Sequence, residues 1–250
     1  MTAEALELLI DSHLKTLALP SIRGSYRSLA READAEGKGV LVFLEALLAQ
    51  EVNHRQERRL ARRLQEARFP VPKGLDTFDF TVLPHLDKPK VLALARSEFV
   101  AARENVIFLG NPGTGKSHLA IALGAEAVRN GFRVRFVTAA ALADELEAAQ
   151  AEHRVSKVLK AWSRYHLVIV DELGYVPFAE ARGQLMFQFF AERYERGAVL
   201  LTSNLEFSEW TGVLGEERMT AALVDRLTHR AHIFVVNGES YRLRESLTRR

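Results

Sequence analysis

The chain has 250 residues, 48% of them hydrophobic and 26% charged, with no cysteine and a formal net charge of +2. That balance suits a globular chain with one large core, or one core plus a small satellite, and excludes a disordered chain, a disulfide scaffold and a thiolate metal site. No apolar run approaches the ~20 residues of a membrane span, the acidic N-terminus lacks a signal peptide's basic region, and a cytoplasmic protein with no membrane partner is expected.

In chain order, Leu6, Leu9, Ile10, Leu14 and Leu17 fall on one helical stripe that stops before Pro20. A second helical stretch runs from Ser21 to about Ala35 and ends at Gly37 and Gly39. The third starts at Val40 with Leu44, Leu48 and Val52 on one face, and Leu60 and Leu64 prolong it at helical spacing. Around those last two leucines stand Arg55, Arg58, Arg59, Arg62, Arg63 and Arg68. Six arginines within fourteen residues favour contact with a phosphate backbone, so they are the candidate DNA-binding residues. Basicity is local: residues 1–75 carry 12 Lys/Arg against 10 Asp/Glu, and residues 226–250 carry six Arg against two Glu. Such patches suit a polyanionic partner. Phe69-Pro70-Val71-Pro72-Lys73-Gly74 breaks the third helix, which sets the expected boundary between a helical domain, 1–70, and a nucleotide domain, 71–250.

Thr77-Phe78-Asp79-Phe80 supplies two aromatics to pack on the second domain, and a helix is predicted from Lys88 to about Ala102. The apolar run Val106 to Leu109 then leads into Gly110-Asn111-Pro112-Gly113-Thr114-Gly115-Lys116-Ser117, and His118 to Leu123 continues as a helix. A glycine-rich loop between strand and helix cradles phosphates. Its backbone N–H groups turn inward, the helix adds its positive end, Lys116 reaches the β- and γ-phosphates, and the Ser117 hydroxyl ligates Mg²⁺. Gly110 to His118 are therefore the candidate nucleotide-binding residues.

The pattern then alternates: a helix to about Asn130, a strand over Arg133 to Val137, a helix or helices through 139–165, and the strand Leu167 to Val170. A helix around 180–196, the strand Val199 to Thr202, a helical region around 207–229 and the strand Ile233 to Val236 follow. Short apolar strands separated by helices predict an α/β fold with a parallel sheet covered on both faces, preceded by a small all-helical domain. The eight histidines show paired spacing only at His229 and His232, which read as packing or surface residues rather than metal ligands.

The run Leu167 to Val170 ends in Asp171-Glu172, delivering two acids to the sheet edge where ligands bind. Asp171 is placed to hold Mg²⁺, and Glu172 to orient and activate the attacking water. The Asn-Lys-x-Asp tetrapeptide that reads guanine is absent, which favours ATP. Asn204, just after the strand ending at Thr202, offers a neutral amide beside the γ-phosphate. Arg226, on a helix in Val224-Asp225-Arg226-Leu227, is the candidate arginine finger acting on a neighbouring subunit.

These residues match a family. Ser117-His118-Leu119-Ala120, Asp171-Glu172-Leu173-Gly174-Tyr175-Val176-Pro177, Arg193-Tyr194-Glu195-Arg196-Gly197, Thr202-Ser203-Asn204-Leu205 with Phe207 and Trp210, Asp225-Arg226-Leu227 and Gly238-Glu239-Ser240-Tyr241-Arg242 together resemble, from end to end, the IstB-like ATPases. Those are AAA+ helper proteins that accompany the transposase of certain bacterial insertion sequences and are relatives of DnaC-type helicase loaders. The resemblance implies an ATP-dependent homo-oligomer that binds duplex DNA and recruits or stimulates a cognate transposase. It also implies that Asn204 is the sensor of the fourth strand and Arg226 the finger. Asn111 stands where the family usually has proline and Ser117 where it usually has threonine; both leave the phosphate chemistry intact.

Only fourteen residues follow Val236, too few for the helical lid that usually closes over the nucleotide. Arg242 is then the candidate for the sensor arginine that a lid would carry, its other reading being part of a basic tail on DNA or in solvent. Two rival functions share the nucleotide site: a replicative helicase loader, and a structural DNA-binding protein whose nucleotide locks an assembly without turnover. Glu172 and Arg226 disfavour the second.

Overall fold

The computed structural model describes residues 2–175, 177–238, 240 and 241. Arg242 and the rest of the basic tail lie outside the described residues, as do Val176 and Glu239 of the family motifs. The chain divides into two compact units, Met1–Arg62 and Arg63–Arg250.

The first unit contains helices α1 (Ala3–Thr16) and α2 (Pro20–Ala35) and most of α3 (Val40–Ala67). The Thr2 hydroxyl accepts the Ala5 N–H at the start of α1, and Pro20 occupies the first turn of α2, where its missing N–H costs nothing. The core is small: Ile22, Tyr26 and Leu47 are buried, with Ile10, Leu14, Leu19, Leu29 and Phe43 against them. Phe43 and Leu47, not Leu44 and Leu48, thus supply the inward face of α3. One position is a rotation of about 100° on a helix, and the expected Leu44, Leu48 and Val52 stripe is left 47%, 50% and 50% exposed. Glu51 is buried at the start of α2, where it accepts the Ser21 N–H (3.1 Å) and the Arg55 Nε–H (2.8 Å).

The last turn of α3 belongs to the second unit for a local reason. Arg63 donates to the Gly131 carbonyl, the Arg135 guanidinium donates to the Glu66 carbonyl (3.1 Å), and Phe69 packs edge-on to Phe136 with ring centroids 6.5 Å apart. Next come α4 (Lys88–Leu94), α5 (Glu98–Ala101), β1 (Asn105–Leu109), α6 (Lys116–Arg129), β2 (Val134–Thr138), α7 (Ala139–Ala151) and α8 (Val155–Trp162). The chain continues through β3 (Leu167–Leu173), α9 (Glu180–Arg193), β4 (Ala198–Ser203), α10 (Thr211–Leu214), α11 (Glu217–Thr228) and β5 (Ala231–Val235).

The helical stretches expected over three ranges are interrupted at specific residues. The stretch predicted over 88–102 breaks at Ser97, buried at φ 60°, where the Asn130 amide donates to the Ala95 carbonyl and the Ser97 hydroxyl. That over 139–165 breaks at His153 (φ 53°), and that over 207–229 at Gly215 (φ 94°).

All five strands are parallel, in the order β2-β3-β4-β1-β5. Alternate residues Ile107, Leu109, Val168, Val170, Val199 and Leu201 form a core with α7, α8, α9 and α11. On the other face α6 lies so close that a Cβ on its Gly124 would stand 2.5 Å from Ile169 Cδ1. The central strands β4 and β1 bring the chain ends after Leu109 and Ser203 together, with Gly110 N–H donating to the Ser203 carbonyl at 3.2 Å. Among the described residues no helix is long and apolar enough to cross a membrane.

Candidate active site

The carboxyl ends of β1, β3 and β4 open onto a cavity of about 680 Å³. Pro70, Val71, Phe78, Val82 and Ile121 form its apolar wall, and Lys116, Ser117, Asp171, Glu172 and Asn204 its polar wall. The shape and mixed lining suit a small organic anion with one apolar end.

The loop Gly110 to Gly115 connects β1 to α6. Gly110 has φ 135° and faces the Val236 carbonyl, where any Cβ would collide. Gly115 (φ 97°) caps α6 without a side chain on its first N–H groups, and a Cβ there would stand 2.7 Å from Phe78 Cε2. The first backbone N–H groups of α6 therefore stand at the helix's positive end with no side-chain cap from Gly115. Lys116 is 8% exposed and its ammonium donates to the carbonyls of Gly110 (2.6 Å) and Asn111 (2.7 Å), so its charge sits inside the turn of the loop. The Thr114 hydroxyl donates back to the Asn111 carbonyl (2.9 Å) and fixes the loop's crest.

Two motifs distant in sequence meet at Asp171. Ser117 Oγ donates to Asp171 Oδ1 at 2.9 Å, and Thr202 Oγ1 donates to the same oxygen at 2.5 Å. Thr202 Oγ1 also accepts the Glu172 N–H at 2.9 Å. Glu172 stands at φ 62°, a left-handed conformation, where the pairing of β3 with β4 shifts between Val170 and Leu173. Asp171 is 5% exposed whereas Glu172 is open to the cavity. Asn204 is half-buried at the cavity edge.

His118 takes part at one remove. Its Nε2 lies 2.9 Å from the Gly74 carbonyl and 3.3 Å from Thr77 Oγ1, and its ring meets Phe78 edge-on at 5.2 Å, so it fastens the 74–78 segment over the start of α6. Burial pushes its pKa below the ordinary value. On the other side, the Tyr241 N–H donates to the Gly113 carbonyl at 3.0 Å and Tyr241 lines the cavity.

The structure thus brings together Gly113, Lys116, Ser117, His118, Asp171, Glu172 and Asn204. Arg226 stands elsewhere: its guanidinium lies 5.1 Å from the Phe187 ring centre and donates to the Ala222 carbonyl at 3.3 Å, beside a small recess shared with Asn105 and Tyr194. Of the six arginines, Arg55 donates to Glu51 (2.8 Å) and to the Ala18 carbonyl (2.8 Å), and Arg63 to the Gly131 carbonyl; Arg58, Arg59, Arg62 and Arg68 are exposed. His229 Nδ1 lies 3.1 Å from the Tyr194 hydroxyl and His232 Nε2 lies 3.0 Å from Glu104 Oε2. Sequence reasoning gave Thr202, Tyr241 and Thr77 no role at the site. Thr202 had a signal, a hydroxyl in an otherwise apolar strand run.

A profile of the IstB-like ATP binding protein family matches residues 12–249. An ATP-binding protein of insertion sequence IS5376 from Geobacillus stearothermophilus is 36% identical over 236 residues, 94% of each chain. One of insertion sequence IS21 from Pseudomonas aeruginosa is 39% identical over 232 residues, 93% of this chain and 88% of that one. Among solved structures, AMPPCP-bound DnaA from Aquifex aeolicus superposes with a TM-score of 0.57 at 20% identity, covering 73% of this chain and 57% of that one. The DnaC helicase loader superposes with a TM-score of 0.53 at 22% identity, covering 65% and 96%. These two likenesses show the fold, the AAA+ arrangement, while the family match runs through almost the whole chain. With its glycine loop, lysine and paired carboxylates gathered at the ends of β1 and β3, the chain belongs to the IstB-like ATP binding protein family and is a P-loop ATPase of AAA+ fold.

Proposed function

We propose that this chain is an ATP-driven helper of DNA transposition, which assembles as a homo-oligomer on target duplex DNA and recruits or stimulates the cognate transposase. The observation that carries the reading is the gathering of Lys116, Ser117, Asp171, Glu172 and Asn204 at one cavity, in a chain whose relatives are ATP-binding proteins of insertion sequences.

The Lys116 ammonium exchanges loop carbonyls for the β- and γ-phosphate oxygens, and the N–H groups at the positive end of α6 take the remaining phosphate charge. Ser117 Oγ and Asp171 Oδ1, 2.9 Å apart and both at the cavity, are the donor types Mg²⁺ takes and fit it. When bound, the ion neutralises charge developing on the phosphate oxygens. Glu172, exposed to the cavity, accepts a proton from the attacking water, and the Asn204 amide aligns that water. Arg226, absent from its own chain's cavity, serves a neighbouring subunit's γ-phosphate, which couples turnover to assembly.

Arg58, Arg59, Arg62 and Arg68 contact phosphates of the duplex, as do the arginines of the C-terminal tail. Phosphate contacts carry little sequence information, so binding is expected to be weakly sequence-selective and steeply salt-dependent. Each subunit offers few contacts, so tight binding requires ATP-driven assembly of many subunits along one duplex. The test is duplex binding against salt concentration, with and without a slowly hydrolysed ATP analogue, for the parent, Arg226→Ala and the pair Arg58→Ala and Arg59→Ala. The parent should bind tightly only with nucleotide, and both variants should weaken it, the arginine pair without loss of nucleotide affinity. DNA affinity indifferent to nucleotide and salt overturns the reading, and strong preference for single strands replaces it with a helicase loader.

A further inference from the structure

We infer that Thr202 is a positioning residue for hydrolysis, whose single hydroxyl sets the placement of both Asp171 and Glu172. The inference rests on the hydrolytic roles given above to those two carboxylates.

In a regular strand, successive side chains point to opposite faces of the sheet. Asp171 follows Ile169 on the α6 face, so a regular Glu172 would follow Val168 and Val170 toward the apolar core under α7 and α9. Both carboxylates nevertheless line one cavity. The cause is a bulge. Val170 pairs with Leu201 and Leu173 with Ser203, so two residues of β3, Asp171 and Glu172, stand opposite the single residue Thr202 of β4.

A bulge of this kind leaves a backbone N–H without its ladder acceptor, and a buried donor must find another. The Glu172 N–H finds Thr202 Oγ1 at 2.9 Å. The Thr202 hydroxyl has one proton, and it goes to Asp171 Oδ1 at 2.5 Å. Donor and acceptor directions are thereby fixed: backbone of Glu172 to hydroxyl of Thr202, hydroxyl to carboxylate of Asp171. Ser117 Oγ closes the set on the same carboxylate oxygen at 2.9 Å.

Two further facts argue that the hydroxyl is what matters at this position. Thr202 is 1% exposed and alternates with Leu200 on the α6 face, in a strand whose other members up to Leu201 are all apolar, so valine would fill the space equally well. Glu172 is held at φ 62°, which a residue with a Cβ adopts only when its surroundings impose it. Thr202 Oγ1, which accepts the Glu172 N–H, is a local contact that holds it there.

The experiment compares Thr202→Val, which keeps the shape and removes the hydroxyl, with Thr202→Ser, which keeps the hydroxyl and removes a methyl. ATP hydrolysis is measured as kcat and KM, and binding of a fluorescent ATP analogue is measured separately in chelator. Thr202→Val should lose about 100-fold in kcat, the scale on which a misplaced catalytic group is felt, with analogue affinity in chelator within about threefold of the parent. Thr202→Ser should recover most of kcat. Should the valine variant not fold, Thr202→Cys against Thr202→Ser gives the same contrast, because a thiol is a far weaker hydrogen-bonding group of similar size. The inference is overturned if the valine or cysteine variant turns over like the parent, or if serine is as slow as valine, which would assign the loss to packing. Glu172→Gln is run alongside. If it stalls while Thr202→Val does not, Thr202 has no such role and the hydrolytic reading stands; if Glu172→Gln itself turns over normally, that reading falls and the inference with it.

Discussion

The Ser117 hydroxyl donates to Asp171 Oδ1 at 2.9 Å, joining the first turn of α6 to the end of β3 across 54 residues of sequence. One oxygen comes from the glycine loop's helix and the other from the acidic end of a buried strand, so two motifs that only patterns connect in the sequence become one pair of adjacent ligand atoms. Neither residue contributes through bulk. Each places one oxygen.

From that pair follows a prediction about metal dependence. Ser117→Ala and Asp171→Asn should each raise the Mg²⁺ concentration needed for half-maximal ATP hydrolysis by about tenfold or more, the usual consequence of weakening a metal's ligand set. The check is hydrolysis rate against Mg²⁺ at saturating ATP. An unchanged Mg²⁺ dependence in both variants would move the metal elsewhere.

Arg193 gives a prediction about stability. The residue is 4% exposed, and burial pushes its pKa down to about 10. It donates to the carbonyls of Trp162 (3.1 Å), Tyr165 (3.2 Å) and Ala198 (3.0 Å), tying the end of α8 and the turn after it to the start of β4. A lysine ammonium is one point on a flexible stem and cannot span three carbonyls held by a planar fork. Arg193→Lys should cost about 1–3 kcal/mol through carbonyls left unsatisfied. Urea unfolding followed by tryptophan fluorescence measures it, and an unchanged midpoint and slope would refute it.

His166 makes stability depend on pH. Its Nδ1 accepts the Arg133 N–H at 3.0 Å, which requires a neutral ring. Burial lowers its pKa first, and the charges of Arg133, Arg63 and Arg193 lower it further. A folded pKa below the unfolded value near 6.5 means that the unfolded chain binds the proton more readily, so this stabilisation is complete above about pH 6.5 and is lost as pH falls through the folded value. The thermal midpoint should therefore drop more steeply below about pH 6.5 in the parent than in His166→Asn, whose Oδ1 keeps the acceptor without titrating. Parallel curves for the two proteins would dismiss His166 as the cause.

The strands and the phosphate loop were legible because their causes are local. Val106 to Leu109 and Leu167 to Val170 are continuous apolar runs that only a sheet covered on both faces buries, and Gly110, Gly113 and Gly115 mark backbone no other residue adopts easily. What escaped had distant or cryptic causes. The break at Ser97 depends on an amide from Asn130, 33 residues away, and nothing about a serine announces φ 60°. The inward face of α3 misread by one position because Leu47 and Leu48 are equally apolar, and only the placement of Ile22 and Tyr26 chooses between them. Glu172 was legible as an acid at a strand end, but not as the second residue of a bulge, because the bulge is defined by the strand it pairs with. Arg55 and Arg63 were legible as members of a basic helix face, but their bonds to the Ala18 and Gly131 carbonyls, 37 and 68 residues away, were not.

The most direct test of the site is a side-by-side measurement of ATP retention and ATP hydrolysis in Glu172→Gln, with Lys116→Ala as the contrasting variant. Glutamine keeps the shape at the cavity and cannot take the water's proton. Glu172→Gln should hold ATP within about threefold of the parent affinity while hydrolysis falls by about 100-fold or more, and Lys116→Ala should fail at binding itself. Parent-level turnover in Glu172→Gln, or parent-level ATP affinity in Lys116→Ala, would contradict the assignment of this cavity as the place where ATP is bound and cleaved.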